Sequence, residues 1–275
     1  MPLSISKDHI MNTKASSSSH VQSVTPKDHV DEALIQPRRG KRETPLPSVG
    51  IMVFTPQDLQ QLRDLFPEPP GITHRLFLAD VRIGSFDGCT VALAGPMLGA
   101  PQAVLALEKM IALGVTDVLA LGWCGSIHPS VRVGDVVLPT SAVSEEGTSC
   151  HYPVDVDRPG PAEAILSLLK PMLESEDYRL HEGRVWSIDA PYRETQGKVM
   201  GFQKEGVLGV DMETSALLTV ALYRSIRLAL VLVVSDELFS LKWVHGFKDP
   251  RFQRTRRIVA ERVLHAASSI PQDKG

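Results

Sequence analysis

The stretch LALVLVVSDEL (Leu228–Leu238) decides the fold: an apolar run from Leu228 to Val234 carries no charge and stops abruptly at Ser235, Asp236 and Glu237. A strand wetted on one face alternates apolar and polar residues, whereas a run that is apolar at every position suits a strand buried on both faces. A sheet covered by helices on both sides provides that burial. In such open α/β sheets ligands collect beyond the carboxyl ends of the strands, so Ser235, Asp236 and Glu237 stand where chemistry is expected.

Working outward, GVDMETSALLTVALY (Gly209–Tyr223) places Met212, Ala216 and Val220 four residues apart, with Leu217 and Ala221 on the adjoining row. The spacing predicts a helix over Met212 to Tyr223, with Asp211 as its N-cap and Glu213 in its first turn. The run Val115 to Leu121 reads as another buried strand. It ends in ALGWCGSI (Ala120–Ile127), a glycine turn of the kind that can receive a phosphate. Further strands are expected at Ile51 to Phe54, Val133 to Leu138 and Val185 to Ile188. A hairpin is expected over Arg75 to Ala94, around Asp87-Gly88. Helices are expected from Pro56, over Pro101 to Leu113, Ala162 to Glu174 and Phe252 to Ala267. Strands alternating with helices predict an α/β fold with a mostly parallel sheet.

The polar strand ends have a structural reading beside the functional one. Asp211 and Glu213 suit a helix N-terminus whatever they bind, and a loop at a strand end is often polar because it meets water. Two carboxylate-bearing strand ends that converge would favour the functional reading.

The 275 residues, 43% hydrophobic and 22% charged, suffice for one sizeable core. With 29 basic against 32 acidic residues there is no cationic excess for nucleic acid, and a small molecule is the expected ligand. Cys89, Cys124 and Cys150 form an odd, widely spaced set without a CxxC pair. That set argues against a disulfide framework or a zinc site and for a cytoplasmic protein, and no metal or cofactor is expected. No leader pattern or membrane-length apolar window is found, so neither secretion nor membrane insertion is expected. Residues 1–46, with Ser16 to Ser19 in a row and the basic run PRRGKRE (Pro37–Glu43), are expected to be a disordered or loosely docked arm. Residues 47–275 are expected to form a single domain. The arm's arginines read either as a solvated tail or as cations offered to an anionic ligand.

Taken in order, ALGWCGSI, RVGDVV (Arg132–Val137), EEGTS (Glu145–Ser149), GVDMETSAL (Gly209–Leu217) and VVSDEL (Val233–Leu238) resemble the purine nucleoside and uridine phosphorylase superfamily, from about Val49 onward. The resemblance implies a three-layer α/β/α sandwich around a mixed, partly barrel-like sheet, assembled as a homo-oligomer: a dimer, trimer or hexamer. It implies a nucleoside substrate, with Met212 and Glu213 on the ribose and Asp236 as the catalytic group that hydrogen-bonds the purine nitrogen N7. A carboxylate can accept from two sugar hydroxyls, and a raised pKa lets an aspartate donate to a departing base. Ser235 would orient Asp236, and His151, Tyr192 and Arg193 are further candidates for the base pocket. Gly122, Trp123 and Gly125 fall at the phosphate or nucleophile loop. Arg75 falls near an arginine that a neighbouring subunit supplies to the anion.

The resemblance also exposes departures. Where the family's first strand ends in Gly-Asp-Pro followed by an arginine, this chain has Phe54-Thr55-Pro56-Gln57-Asp58. Where the family's phosphate segment carries an arginine and a serine or threonine, it has Ala120 and Trp123. Each lost charge-assisted hydrogen bond removes about 1.5–3 kcal/mol of anion binding. The expected function is cleavage of the N-glycosidic bond of a purine nucleoside by phosphorolysis, with inorganic phosphate as co-substrate. Two alternatives stay open: a phosphate-independent hydrolase, in which Glu213, Glu145 or Glu146 positions water, and a nucleoside-binding protein without turnover.

Overall fold

The apolar runs of the sequence become strands in the computed structural model, which describes residues 33–272. In chain order these are β1 (Val49–Val53), α1 (Pro56–Leu65), β2 (Ile72–Leu76), β3 (Ala79–Phe86), β4 (Cys89–Gly95) and α2 (Ala100–Leu113). There follow β5 (Asp117–Ser126), β6 (Val136–Glu145), α3 (Glu163–Leu173), β7 (Leu180–Ile188) and α4 (Gln196–Lys204). The chain then forms β8 (Gly209–Asp211), α5 (Thr214–Arg224), β9 (Arg227–Glu237), β10 (Val244–His245) and α6 (Pro250–Ser269).

The strands form one sheet in the order β10-β9-β6-β7-β8-β5-β1-β4-β3-β2, and an added pairing of β9 with β5 closes β5, β9, β6, β7 and β8 into a barrel. β1 runs parallel to β4 and β5, β5 parallel to β9, and β7 parallel to β6 and β8. β3 runs antiparallel to β2 and β4, β9 to β6 and β10, and β8 to β5. The sheet is therefore mixed, with as many antiparallel as parallel pairings, and not mostly parallel as the alternation of strands and helices predicts.

Alternation along the central strands feeds two cores. Ile51 and Val53 of β1, Leu119 and Leu121 of β5, and Val231 and Val233 of β9 pack with α1, α3 and α6. Met52, Val118, Ala120 and Leu230 face the other way and pack with α2 and α5. This two-sided burial explains the absence of charge from Leu228 to Val234. Local signals explain where helices begin. Thr55 caps α1 by accepting from the Asp58 N–H at 3.2 Å, Asp249 caps α6 by accepting from the Arg251 N–H, and a proline follows each cap. The hairpin of β3 and β4 turns at Asp87 and Gly88, both at positive φ.

Three further expectations are corrected. ALGWCGSI is no turn: β5 continues to Ser126, paired along β9. Its glycines answer close approach, because a Cβ on Gly122 would overlap the Phe54 ring and one on Gly125 would lie 2.7 Å from Leu238 Cδ1 and 3.1 Å from Asp236 Oδ2. β6 begins at Val136 because Asp135 accepts the Arg132 N–H at 2.9 Å and folds Arg132 to Asp135 into a turn. α5 begins at Thr214, with Glu213 as the residue before its first turn and its side chain bound elsewhere, as described below. Asp211 still serves its end, accepting the Thr214 N–H at 2.9 Å.

Of the expected arm, residues 1–32, including Ser16 to Ser19, lie outside the described residues. The PRRGKRE run packs on α2, where Lys109 Nζ donates to the Arg38 carbonyl and to Glu43, each at 2.6 Å, and Leu46 N–H donates to the Leu113 carbonyl. Lys109 lies roughly 14 Å along α2 from its first turn, at 1.5 Å per residue.

Two glycine substitutions separate close packing from helix propensity. Gly122→Ala is expected to lose about 1–3 kcal/mol in denaturant unfolding, because the methyl group overpacks against Phe54. Gly201→Ala in α4, where an added Cβ meets nothing within 4 Å, is expected to gain about 0.5–1 kcal/mol. Equal effects at the two positions would contradict this account.

Candidate functional site

A cavity of ≈530 Å³ opens at the carboxyl ends of β1, β4, β5, β8 and β9, within the size range of small-molecule sites. It receives Phe54 and Thr55 after β1, Met97 and Leu98 after β4, Trp123 and Gly125 of β5, and Met212 and Glu213 after β8. Ser235 and Asp236 enter from β9, and Trp243 and Phe247 from the segment beyond it.

Glu213 is almost fully buried, and its Oε1 accepts the Gly99 N–H at 2.6 Å. Gly99 is the N-cap of α2, so the carboxyl sits at a helix N-terminus and ties the β4–α2 loop to the start of α5. Burial, and then the charge of Asp211, push the Glu213 carboxyl up to about 8. Burial also raises Asp211, against the hydrogen bonds it accepts from Ser187 Oγ and from the Thr214 hydroxyl and N–H. Asp211 accepts more hydrogen bonds than Glu213, and these favour its charged form against the same burial.

Asp236 owes its orientation to a bulge. Cys124 pairs with Val234 but Gly125 pairs with Asp236, so Ser235 is an extra residue in β9 and the next side chain is re-aimed. Ser235 Oγ lies 2.6 Å from Asp236 Oδ1, and Trp243 Nε1 donates to Oδ2 at 2.9 Å. Burial raises the Asp236 pKa against these two bonds. Glu194 is pushed up to about 7, by burial and then by the charge of Asp236.

Behind Trp123 lies a buried ion pair. Asp58 accepts from Arg256 Nε at 2.8 Å, from Thr55 Oγ1 at 3.0 Å and from Trp123 Nε1 at 2.5 Å. The Arg256 guanidinium carbon stands 4.8 Å from the centre of the Trp123 ring. Asp58 and Arg256 are almost fully buried, and they join α1 to α6 beneath the cavity wall.

The structure brings Met212, Glu213, Ser235, Asp236, Tyr192, Trp123 and Gly125 to one cavity. It does not bring the other candidates there. Gly122 packs between Phe54 and Leu232. Arg193 is solvent-exposed in the 3₁₀ turn Pro191–Arg193 and does not line the cavity, whereas Glu194, directly after the turn, is part-buried and does. His151 is exposed in the 3₁₀ turn Ser149–His151, and the neighbouring Tyr152 donates to Glu108 at 3.1 Å. Arg75 donates to Asp80 at 2.9 Å from the exposed edge hairpin. Glu145 pairs with Lys198 at 2.8 Å. Burial opposes ionisation of Glu146, but the hydroxyls of Ser149, Ser144 and Ser215 and the Thr148 N–H outweigh it and hold the pKa low, away from the cavity. Glu194, Thr55 and Trp243 were not singled out from the sequence. No local signal marks Glu194, and that for Trp243 is a tryptophan shortly beyond VVSDEL.

Among the described residues, no group of three or more His, Cys, Asp or Glu side chains is arranged to hold a metal ion, and no helix is long and apolar enough to cross a membrane.

Residues 48–270 match the family described as the Phosphorylase superfamily. The guanosine phosphorylase of Halorubrum lacusprofundi is 31% identical over 155 residues, which are 56% of this chain and 64% of that protein. The chain thus matches under two thirds of that relative's length. Two solved structures share the fold. The uridine phosphorylase of Vibrio fischeri superposes with a TM-score of 0.73 at 24% identity, over 81% of this chain and 92% of that one. The purine nucleoside phosphorylase of Toxoplasma gondii in complex with immucillin-H superposes with a TM-score of 0.74 at 18% identity, over 85% and 94%.

The buried carboxyls make stability pH-dependent in a defined direction. A group whose folded pKa is raised contributes fully below its unfolded pKa, and that contribution is lost as pH rises through the folded value. For Glu213 the loss is expected between about pH 5 and about pH 8, read as a falling unfolding free energy in urea. Glu213→Gln is expected to flatten that slope, and an unchanged slope would contradict the assignment.

Proposed function

The chain belongs to the phosphorylase superfamily, and on that premise we propose that it cleaves the N-glycosidic bond of a purine nucleoside in the cavity between Glu213 and Asp236. The observation that carries this reading is the convergence of Met212 and Glu213, from the start of α5, with Asp236, from the bulged end of β9. Breaking the bond leaves an electron-poor sugar and a base that departs more readily with a proton. Glu213 is suited to the ribose hydroxyls, as donor when protonated and acceptor when not, while Met212 offers an apolar surface to the ring. Asp236, with its raised pKa, is suited to donate to the purine imidazole nitrogen, an atom that pyrimidine nucleosides lack. Ser235 and Trp243 orient that carboxyl, Glu194 stands by for the base, and Tyr192 lies fully exposed at the cavity mouth.

Family membership supports inorganic phosphate as co-substrate and pentose 1-phosphate as product. The lining of the cavity, acidic and without a cation, favours water as the acceptor. A cytoplasmic homo-oligomer belongs to the same reading, and the exposed apolar residues Ile72, Phe77 and Leu78 of the β2–β3 hairpin support an assembly contact.

The test is base release by the full chain from inosine, guanosine and uridine. Release from the two purine nucleosides is expected. Asp236→Asn is expected to lower kcat/KM by about 10²–10⁴-fold, as loss of a general acid does. Glu213→Ala is expected to weaken nucleoside binding. Nucleoside bound without release would favour a binding protein, and full activity in Asp236→Asn would remove Asp236 from the chemistry.

A further inference from the structure

We infer that the pentose acceptor is water and that this cavity excludes phosphate, an inference that rests on the glycosidic-cleavage reading above. Three observations carry it. First, among the described residues lining the cavity the acidic side chains are Glu194, Asp211, Glu213 and Asp236, with no lysine, arginine or histidine. A phosphate anion would therefore find no countercharge in a partly desolvated space, where an unpaired anion is costly.

Second, the guanidinium against the cavity wall is already engaged. Arg256 lies behind Trp123 with its Nε 2.8 Å from Asp58 Oδ1, and a further nitrogen donates to Gln253 at 2.9 Å. Asp58 also takes the only N–H of the Trp123 indole and the hydroxyl hydrogen of Thr55. The carboxylate of Asp58 thus holds, from inside the protein, the donors that this wall could have offered to an anion.

Third, Gly122 to Gly125 form no anion-binding concavity. They lie in strand conformation along β9, and neither glycine has the positive φ on which a nest of converging N–H groups depends. Phe54 fills the space that the absent Gly122 side chain leaves. A water molecule needs no countercharge and can hydrogen-bond to carboxyl groups, so a lining without cations accepts it where it does not suit phosphate.

The step balances without a further reagent. The water oxygen forms a bond to C1′ as the C1′–N bond breaks, and its electron pair goes to the base. The base nitrogen takes the proton of Asp236, and the proton that the water gives up restores Asp236. The products are free base and free pentose.

The experiment follows inosine cleavage by the full chain in phosphate-free buffer and with added inorganic phosphate. Both free base and the sugar product are measured, in isotopically labelled water. Expected are a rate unchanged by phosphate, no pentose 1-phosphate, and label on C1 of free ribose. Release that requires phosphate and yields ribose 1-phosphate overturns the inference while leaving glycosidic cleavage intact. Absence of base release in both buffers overturns the cleavage reading and this inference with it.

Discussion

The structure depends on the parallel pairing of β5 with β9, which runs from Asp117 opposite Arg227 to Ser126 opposite Glu237. Over its first part both strands are apolar on both faces and supply the two helix-covered cores. Past Cys124 the register shifts by one residue, and the strands change from core to cavity wall. β5 also pairs with β1 and β8, and β9 with β6, so this one contact closes the barrel and brings the ends of β1, β5, β8 and β9 together. Gly125 belongs to the same constraint, since a side chain there would press on Leu238 and on the carboxyl of Asp236.

The electrostatics of the cavity follow from what that geometry buries. Asp211 and Glu213 are both buried at the start of α5, and loss of water opposes the charge on each. Asp236 and Glu194 are raised for the same reason on the β9 side of the cavity. Asp58, by contrast, faces a guanidinium, an indole N–H and a hydroxyl, and its pair with Arg256 is desolvated. Removing one partner of such a buried pair costs about 3–5 kcal/mol because it strands the other charge. The wall behind Trp123 is therefore tied to the packing of α1 on α6.

How far the sequence was legible depended on the range of the forces involved. The charge-free run from Leu228 to Val234 and the four-residue spacing of Met212, Ala216 and Val220 are local consequences of burial, and the strands and helices they imply are present. Met212, Glu213 and Asp236 were legible because they stand at strand ends, where open sheets gather ligands. The reading of ALGWCGSI as a turn missed because its glycines answer two distant side chains, Phe54 and Leu238, rather than a local bend. Arg193 and Glu194 differ by one position, yet Arg193 is exposed and Glu194 lines the cavity, a difference set by the folded loop and not by the local sequence. The partnership of Asp58 with Arg256 spans most of the chain and leaves no mark on either residue's neighbours.

The central claim is that one cavity holds the sugar on Met212 and Glu213 and the base on Asp236. The most direct measurement is a crystal structure of the protein with a non-cleavable purine nucleoside analogue. The account predicts ribose hydroxyls within hydrogen-bond distance of Glu213, Met212 against the sugar ring, and an imidazole nitrogen on Asp236. An analogue bound outside this cavity, or bound inside it with its base on Glu213 and its sugar on Asp236, would contradict the account.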